Sequence, residues 1–138
     1  MNDKKKIYIA GPLFTSGERW FLEIIDQICQ DLGYDTYLPH RDAGLSKPTE
    51  ESRRYCFEQD KKILDDVHLV VAVLNGVDLD SGTAWEIGYA HALNVPVIGV
   101  FDDKRLFNPA VQLNPMICYS IALCPTIECL KDMLIEHL

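Results

Sequence analysis

The stretch His68-Leu69-Val70-Val71-Ala72-Val73-Leu74 is the most apolar segment of this 138-residue chain. No polar residue interrupts its hydrophobic run, which is typical of a parallel strand buried on both faces. Residues 75–82 are rich in Gly, Asp and Ser and predict a loop, whereas residues 83–93 have the pattern of a helix. Together the three segments predict a strand, a loop and a helix at the centre of an α/β domain.

Apolar segments alternate with helical patterns on both sides of this central unit. The other predicted strands cover residues 6–10, 34–38, 95–101 and 119–123. The other predicted helices cover residues 20–32, 49–65 and 126–138, with residues 40–49 as a loop and a helical turn within residues 102–115. Gly33 stands where the first of these helices would end. The alternation predicts one doubly wound, Rossmann-like α/β domain over residues 1–138, with a five-stranded parallel sheet.

The composition restricts the partners that this domain can bind. With 48% apolar residues, the chain can form a core without disulfides or a structural metal. It carries 13 basic and 21 acidic residues, a net charge of -8, and such a surface repels polyanions. We therefore expect no nucleic-acid polymer as a partner, although a small nucleoside is compatible with this charge. The apolar runs are too short to cross a bilayer, so we also expect no membrane partner.

Cofactor motifs and metal-ligand spacings are missing from the sequence. The five cysteines include no CxxC pair, and free thiols in a reducing cytoplasm are the expected interpretation. The four histidines show no metal-ligand spacing, and the chain has neither GxGxxG nor GxxxxGK[ST]. The N-terminal residues do not form a signal-peptide pattern. We predict a cytoplasmic protein that uses no cofactor and no metal.

Ligands of parallel α/β sheets bind beyond the carboxyl ends of the strands, here residues 11–16 and 75–83. The second segment leads into a helix that carries Glu86. Thr83-x-x-Glu86 has the spacing of a capping box, in which the glutamate would only cap its own helix. Alternatively, Glu86 lies in the first helical turn and faces a pocket, where the helix N-terminus keeps it ionised as a nucleophile requires. Gly82 would let the backbone approach a ligand closely.

Two further residues have a structural and a chemical interpretation. Asp60 lies on the helix before the central strand and is either a solvated surface charge or a second carboxylate of the site. Tyr8 lies inside the first strand, where core packing is the default interpretation. The pattern alone leaves these alternatives open.

The motifs taken together resemble the nucleoside 2-deoxyribosyltransferase family over nearly the whole chain and in the family's order. The matching segments are Tyr8-Ile9-Ala10-Gly11-Pro12-Leu13-Phe14, then Asp60, then Asp80-Ser81-Gly82-Thr83-Ala84-Trp85-Glu86-Ile87-Gly88-Tyr89-Ala90, and finally Asn114-Pro115-Met116. Each motif is short, and their joint order and spacing make the resemblance specific.

The resemblance implies an enzyme that exchanges the nucleobase of 2′-deoxyribonucleosides by cleaving the N-glycosidic bond. Glu86 would attack C1′ and form a covalent deoxyribosyl ester, as in retaining glycosidases. The other catalytic residues would be Tyr8, which orients Glu86, and Asp60 and Asp80, which bind the base and transfer its proton. Substrate-binding residues would be Gly11, Pro12, Phe14, Gly82, Asn114 and Met116. Deoxynucleosides and free nucleobases would be the ligands.

The resemblance also implies an oligomer built from dimers, such as a hexamer. Asn114 and Met116 would reach the active site of the neighbouring subunit, where the asparagine contacts the 5′-hydroxyl of the sugar.

A sister branch of the same superfamily hydrolyses deoxynucleoside 5′-monophosphates. In that branch serines that receive the phosphate tend to occupy the positions of Asp80 and Asn114, so this chain agrees with the transferases there. Ser81 and Thr83 could still offer hydroxyls to a phosphate. The sequence ends at Leu138, without the Tyr-bearing C-terminal tail of well-known transferases. A third alternative is a non-catalytic nucleotide-sensing module on the same fold.

Overall fold

The computed structural model describes residues 3–105 and 113–138. Within these residues, five parallel strands form one sheet in the order β2-β1-β3-β4-β5. The strands are β1 (Lys6–Ala10), β2 (Asp35–Tyr37), β3 (Leu69–Val73), β4 (Val97–Val100) and β5 (Ala122–Cys124). The parallel five-stranded sheet predicted from the sequence is therefore confirmed.

Helices cover both faces of the sheet. They are α1 (Ser16–Asp31), α2 (Pro39–Asp42), α3 (Glu50–Leu64), α4 (Ser81–Ala92), α5 (Pro115–Cys118) and α6 (Ile127–Ile135). Apolar side chains of α1 and α6 form one buried cluster with the sheet, and those of α3 and α4 form the other. Among the helices of the two described segments, none is long and apolar enough to traverse a bilayer.

Strand β3 supplies side chains to both clusters, as its uninterrupted hydrophobicity predicts. All five of its residues are buried. Leu69, Val71 and Val73 pack on the α1 and α6 side, and Val70 and Ala72 pack on the α3 and α4 side. A polar residue at either kind of position would lose water without gaining a partner, so neither face of the strand tolerates one.

The predicted helix boundaries are close to the observed ones. Thr49 caps α3 by accepting a hydrogen bond from the backbone N of Ser52, and Thr126 caps α6 in the same way. Gly33 follows the C-cap of α1 with φ +95, a conformation that a residue with a Cβ rarely adopts.

Two local predictions are wrong. Part of the predicted loop 40–49 forms α2, because Pro39 starts a helical turn. The second strand ends before this turn and is only three residues long. Strand β5 begins at Ala122 and not at residue 119, because Tyr119 is the C-cap of α5. Helix α5 begins at Pro115, the last residue of the range 102–115 in which the sequence predicts a loop with a helical turn, and it ends at Cys118. Part of the range, residues 106–112, lies outside the described residues.

Candidate active site

A cleft of about 570 Å³ opens at the carboxyl edge of the sheet. This volume is in the range of small-molecule binding sites. The loop after β1, the start of α2, one face of α3 and the beginning of α4 form its walls. The lining residues are Gly11, Leu13, Phe14, Pro39, Ser46, Phe57, Asp60, Lys61, Leu64, Asp80, Ser81, Gly82, Trp85 and Glu86. The two segments that the strand-end rule singles out in the sequence both contribute to this cleft.

Glu86 and Tyr8 form a pair at the base of the cleft. Tyr8 lies in β1 and is completely buried, and its hydroxyl donates a hydrogen bond to Oε2 of Glu86. Burial and the nearby Glu86 raise the pKa of Tyr8 far above its ordinary value, so the hydroxyl stays a donor at every working pH. Tyr8 is thus both a core residue, as its strand position predicts, and a partner of Glu86.

The local position of Glu86 differs from the sequence prediction. The residue that caps α4 is Asp80, so the helix begins at Ser81 and Glu86 lies in the second turn. A capping box between Thr83 and Glu86 is therefore wrong, because Thr83 donates its backbone N–H to Asp80 instead. The placement of Glu86 in the first turn is also wrong.

The protonation of Glu86 also differs from the prediction. Burial raises the pKa of its carboxyl to about 8, although the hydrogen bond from Tyr8 acts in the opposite direction. The negative charges of Asp60 and Asp80 raise it further. Burial therefore favours the protonated form of Glu86 up to neutral pH, in place of the ionised form that the sequence predicts.

Asp60 and Tyr37 form a second pair beside the first. Asp60 projects from α3 into the cleft and is half-buried, and the hydroxyl of Tyr37 donates to its Oδ1 at 2.8 Å. Burial raises the pKa of Asp60, and the Tyr37 hydrogen bond opposes this rise. The interpretation of Asp60 as a solvated surface charge is therefore wrong.

Asp80 combines a structural contact with a place in the cleft wall. Its Oδ2 accepts hydrogen bonds from the backbone N and from Oγ1 of Thr83, each at 2.9 Å. A side chain at Gly82 would crowd this carboxylate, since a Cβ there would lie 3.3 Å from Oδ2 of Asp80. Asp80 thus places a carboxylate at the N-terminus of α4, in the wall of the cleft.

The loop after β1 is held in place by α1. Gly11 is packed so tightly that a Cβ would lie 2.7 Å from Cδ2 of Leu22. Oε1 of Glu18 accepts hydrogen bonds from the backbone N of Phe14 at 3.1 Å and from that of Thr15 at 2.8 Å. This capping box leaves the ring of Phe14 at the mouth of the cleft, where 74% of the residue is exposed. Phe14 therefore presents an exposed apolar ring to the cleft.

Three of the residues predicted to bind substrate lie outside the cleft of this chain. Pro12 is buried and lines a neighbouring depression instead. Asn114 caps α5 by accepting a hydrogen bond from the backbone N of Met116 at 2.9 Å. Met116 is 79% exposed. The structure thus brings together Glu86, Tyr8, Asp60, Asp80, Gly11, Phe14 and Gly82, and leaves Pro12, Asn114 and Met116 apart.

Sequence reasoning missed one wall of the cleft, which α3 provides. Phe57, Asp60, Lys61 and Leu64 recur at the spacing i, i+3, i+4 and i+7 and line the cleft together. Asp60 was the only one of them singled out from the sequence, and its helical neighbours were the signal for the others. The ring of Phe57 meets the ring of Trp85 edge to face, with centroids 5.7 Å apart.

Comparison with known proteins assigns a family to this arrangement. The family model described as nucleoside 2-deoxyribosyltransferase matches residues 7–136. The chain belongs to that family.

Individual relatives are distant. An uncharacterised protein of Schizosaccharomyces pombe is 28% identical over 114 residues, which cover 77% of this chain; the chain spans about half, 54%, of that relative. The fold matches a 2-deoxyribosyltransferase from Bacillus psychrosaccharolyticus with a TM-score of 0.78 and 24% identity, covering 92% of this chain and 90% of that one. A CMP N-glycosidase from Clostridium botulinum matches with a TM-score of 0.61 and 16% identity, covering 94% of this chain and 98% of that one.

Proposed function

We propose that this protein exchanges the nucleobase of 2′-deoxyribonucleosides through a covalent deoxyribosyl ester on Glu86. One observation carries the proposal: the Glu86 carboxyl faces the cleft while the Tyr8 hydroxyl engages only its Oε2. Oε1 accepts no hydrogen bond from the residues that the structure describes, so a lone pair remains for a substrate carbon. Family membership supports the same chemistry.

The first half of the reaction breaks the bond between C1′ and the base. Oε1 of Glu86 donates an electron pair to C1′, and the pair of the C1′–N bond leaves with the base. Asp60 gives its proton to the departing base, which is released neutral. Positive charge develops on the sugar in the transition state, and the carboxylates of the cleft stabilise it.

The second half reverses these steps with another base. A ring nitrogen of the incoming base attacks C1′, the ester bond breaks, and its electron pair returns to Glu86. The proton of the attacking nitrogen returns to Asp60. Configuration at C1′ is retained because the two displacements approach from opposite faces. Water can replace the second base, and the product is then free deoxyribose.

The reactive form needs a proton on Asp60 and none on Glu86. Burial raises the pKa of both carboxyls, and the negative charge of Asp60 raises that of Glu86 further, so the two carboxyls titrate as a coupled pair. The Tyr8 hydrogen bond favours the ionised form of Glu86. We therefore expect activity only over the pH range in which the pair keeps one proton, with a fall at lower pH, where both carboxyls are protonated, and at higher pH, where neither is.

The wall formed by Asp80 favours a nucleoside over a nucleoside 5′-monophosphate. Helix N-termini attract phosphates, but at α4 the carboxylate of Asp80 already occupies this position and would repel a dianion. One observation favours the hydrolase alternative: Lys61 also lines the cleft and would attract a phosphate. Its ammonium group lies 3.4 Å from Oδ2 of Asp65, which offsets that attraction.

The exposed position of Met116 supports a further part of the proposal. In an oligomer, Asn114 and Met116 of one subunit would complete the cleft of its neighbour, with the asparagine on the 5′-hydroxyl.

Incubation of the purified protein with 2′-deoxyinosine and free adenine tests the proposal. A transferase forms 2′-deoxyadenosine and hypoxanthine. With 2′-deoxyinosine 5′-monophosphate as a second donor, a nucleotide hydrolase releases base from the monophosphate only. A nucleotide-sensing module releases no base from either donor. A Glu86→Ala variant that keeps full activity would contradict the proposed nucleophile. Glu58→Ala, an exposed glutamate on α3, serves as the control.

A further inference from the structure

Two tyrosines lie side by side beneath the carboxyls of the cleft. Tyr8 of β1 and Tyr37 of β2 are register partners in adjacent parallel strands, so their side chains point to the same face of the sheet. Their rings stack with centroids 5.4 Å apart and an interplanar angle of 25°. Each hydroxyl donates to a different carboxyl, Tyr8 to Glu86 and Tyr37 to Asp60.

The Tyr37 hydrogen bond makes the two oxygens of Asp60 unequal. Oδ1 accepts the tyrosine proton at 2.8 Å, and a second proton on the same oxygen would weaken this bond. Oδ2 accepts no hydrogen bond within residues 3–105 and 113–138, and it is not fully buried. A proton carried by Asp60 therefore prefers Oδ2, the oxygen that remains available to a ligand.

We propose that Tyr37 is a positioning residue that directs the transferable proton of Asp60 to Oδ2. This inference rests on the proposed function, in which that proton moves to the leaving base as the C1′–N electron pair departs. Tyr37 does not line the cleft, so it acts through Asp60 and not by touching the substrate. Without its hydroxyl the proton can occupy either oxygen, and the carboxyl is free to turn.

The test compares a base that needs a proton to leave with one that does not. 2′-Deoxyinosine needs protonation of its base, whereas 7-methyl-2′-deoxyguanosine already carries a positive charge and releases a neutral base. In the Tyr37→Phe variant, kcat for 2′-deoxyinosine falls by roughly 10- to 100-fold, with KM changed by less than about twofold. For 7-methyl-2′-deoxyguanosine, kcat changes by less than about threefold.

A matched control and a double variant distinguish positioning from a structural effect. Tyr34→Phe removes a buried tyrosine hydroxyl that donates to the backbone O of Leu134 at 2.7 Å, away from the cleft, and leaves both rates unchanged. If Tyr37 acts through Asp60, the double variant Asp60→Asn/Tyr37→Phe is no slower than Asp60→Asn alone. Thermal unfolding of each variant confirms that it folds.

The possible outcomes separate this inference from the proposed function. Equal losses on the two donors, unchanged kcat for 2′-deoxyinosine, or additive losses in the double variant would overturn the role of Tyr37 while base exchange by the parent protein stands. A parent protein that exchanges no base with either donor, or with thymidine, would overturn the proposed function and this inference with it.

Discussion

The floor of the cleft, defined here as Asp60 and Glu86 with Tyr8 and Tyr37 beneath them, is polar and largely withdrawn from solvent. The rim (Phe14, Phe57 and Trp85) is apolar and exposed. Hydrogen bonds between side chains fix the floor, and the sheet register fixes its two tyrosines. The rim depends on a loop and on two helix faces. From this difference we expect the floor to determine the chemistry and the rim to determine which ligands enter.

The largest effect is expected from Glu86, where a substitution separates activity from stability. Glu86→Gln keeps an oxygen for the Tyr8 hydrogen bond but removes the nucleophile, so kcat falls by about 1,000-fold or more. Steady-state base exchange measures this loss. Glu58→Gln, on the exposed side of α3, should leave the rate unchanged.

The Glu86→Gln variant is also expected to be more stable than the parent at alkaline pH. The folded protein holds the Glu86 proton up to a pKa of about 8, whereas the ordinary value is 4.5. Between these values the folded state binds more protons than the unfolded chain, so the free energy of unfolding falls as pH rises. At pH 9 we expect Glu86→Gln to be more stable by roughly 2 kcal/mol, with no difference below pH 4. Denaturant unfolding at both pH values measures this, and equal stabilities at pH 9 would contradict the buried position of Glu86.

The next effect concerns the second carboxyl of the floor. Asp60→Asn keeps the shape of the side chain and the contact with Tyr37 but cannot supply a transferable proton. We expect kcat for 2′-deoxyinosine to fall by about 100-fold. Removal of the negative charge next to Glu86 should also lower the pKa of Glu86 and shift the pH profile of the remaining activity to lower pH. A pH profile in the same position as that of the parent protein would contradict the coupling between the two carboxyls.

A smaller effect is expected at the rim. Trp85 lines the cleft next to Phe57, and its loss removes apolar surface for a bound base without changing the floor. Trp85→Ala should raise KM by about tenfold and leave kcat within about threefold of the parent value. Trp20→Ala is the matched control, because Trp20 is an exposed tryptophan of α1 that does not line the cleft. A fall in kcat as large as that of Asp60→Asn would contradict the separation of floor and rim.

The smallest effect on stability is expected at Asp80. Asn caps helices about as well as Asp, so Asp80→Asn should change the free energy of unfolding by less than about 0.5 kcal/mol. Removal of the charge should make the N-terminus of α4 more attractive to phosphate. We expect weaker discrimination against 2′-deoxyinosine 5′-monophosphate, measured as the ratio of kcat/KM for the two donors. An unchanged ratio would show that Asp80 does not select against phosphate.

The residues that form the floor were easier to predict from the sequence than their arrangement in space. Strand β3 has one strong hydrophobic signal, so the parallel sheet and its carboxyl edge follow from residue types alone. The motif order indicated Tyr8, Asp60 and Glu86. The helix start at Ser81 was not predictable from spacing, because Asp80, Ser81 and Thr83 are all good caps and packing decides among them.

The remaining misses have different causes. Tyr37 was not recognised because its contact with Asp60 joins residues from β2 and α3, which only the folded chain brings together. The raised pKa of Glu86 depends on burial, which a sequence does not give directly. Asn114 and Met116 were assigned by resemblance to the site of another subunit, and for them the prediction remains open.

The position of Tyr37 at the end of β2 has a consequence for heat tolerance. Strand β2 is three residues long and pairs only with β1, at one edge of the described sheet. Short edge strands open locally at a lower cost than the centre of a sheet. We therefore expect gentle warming to detach Tyr37 from Asp60 first, so that turnover is lost, reversibly, several degrees before the core around β3 melts.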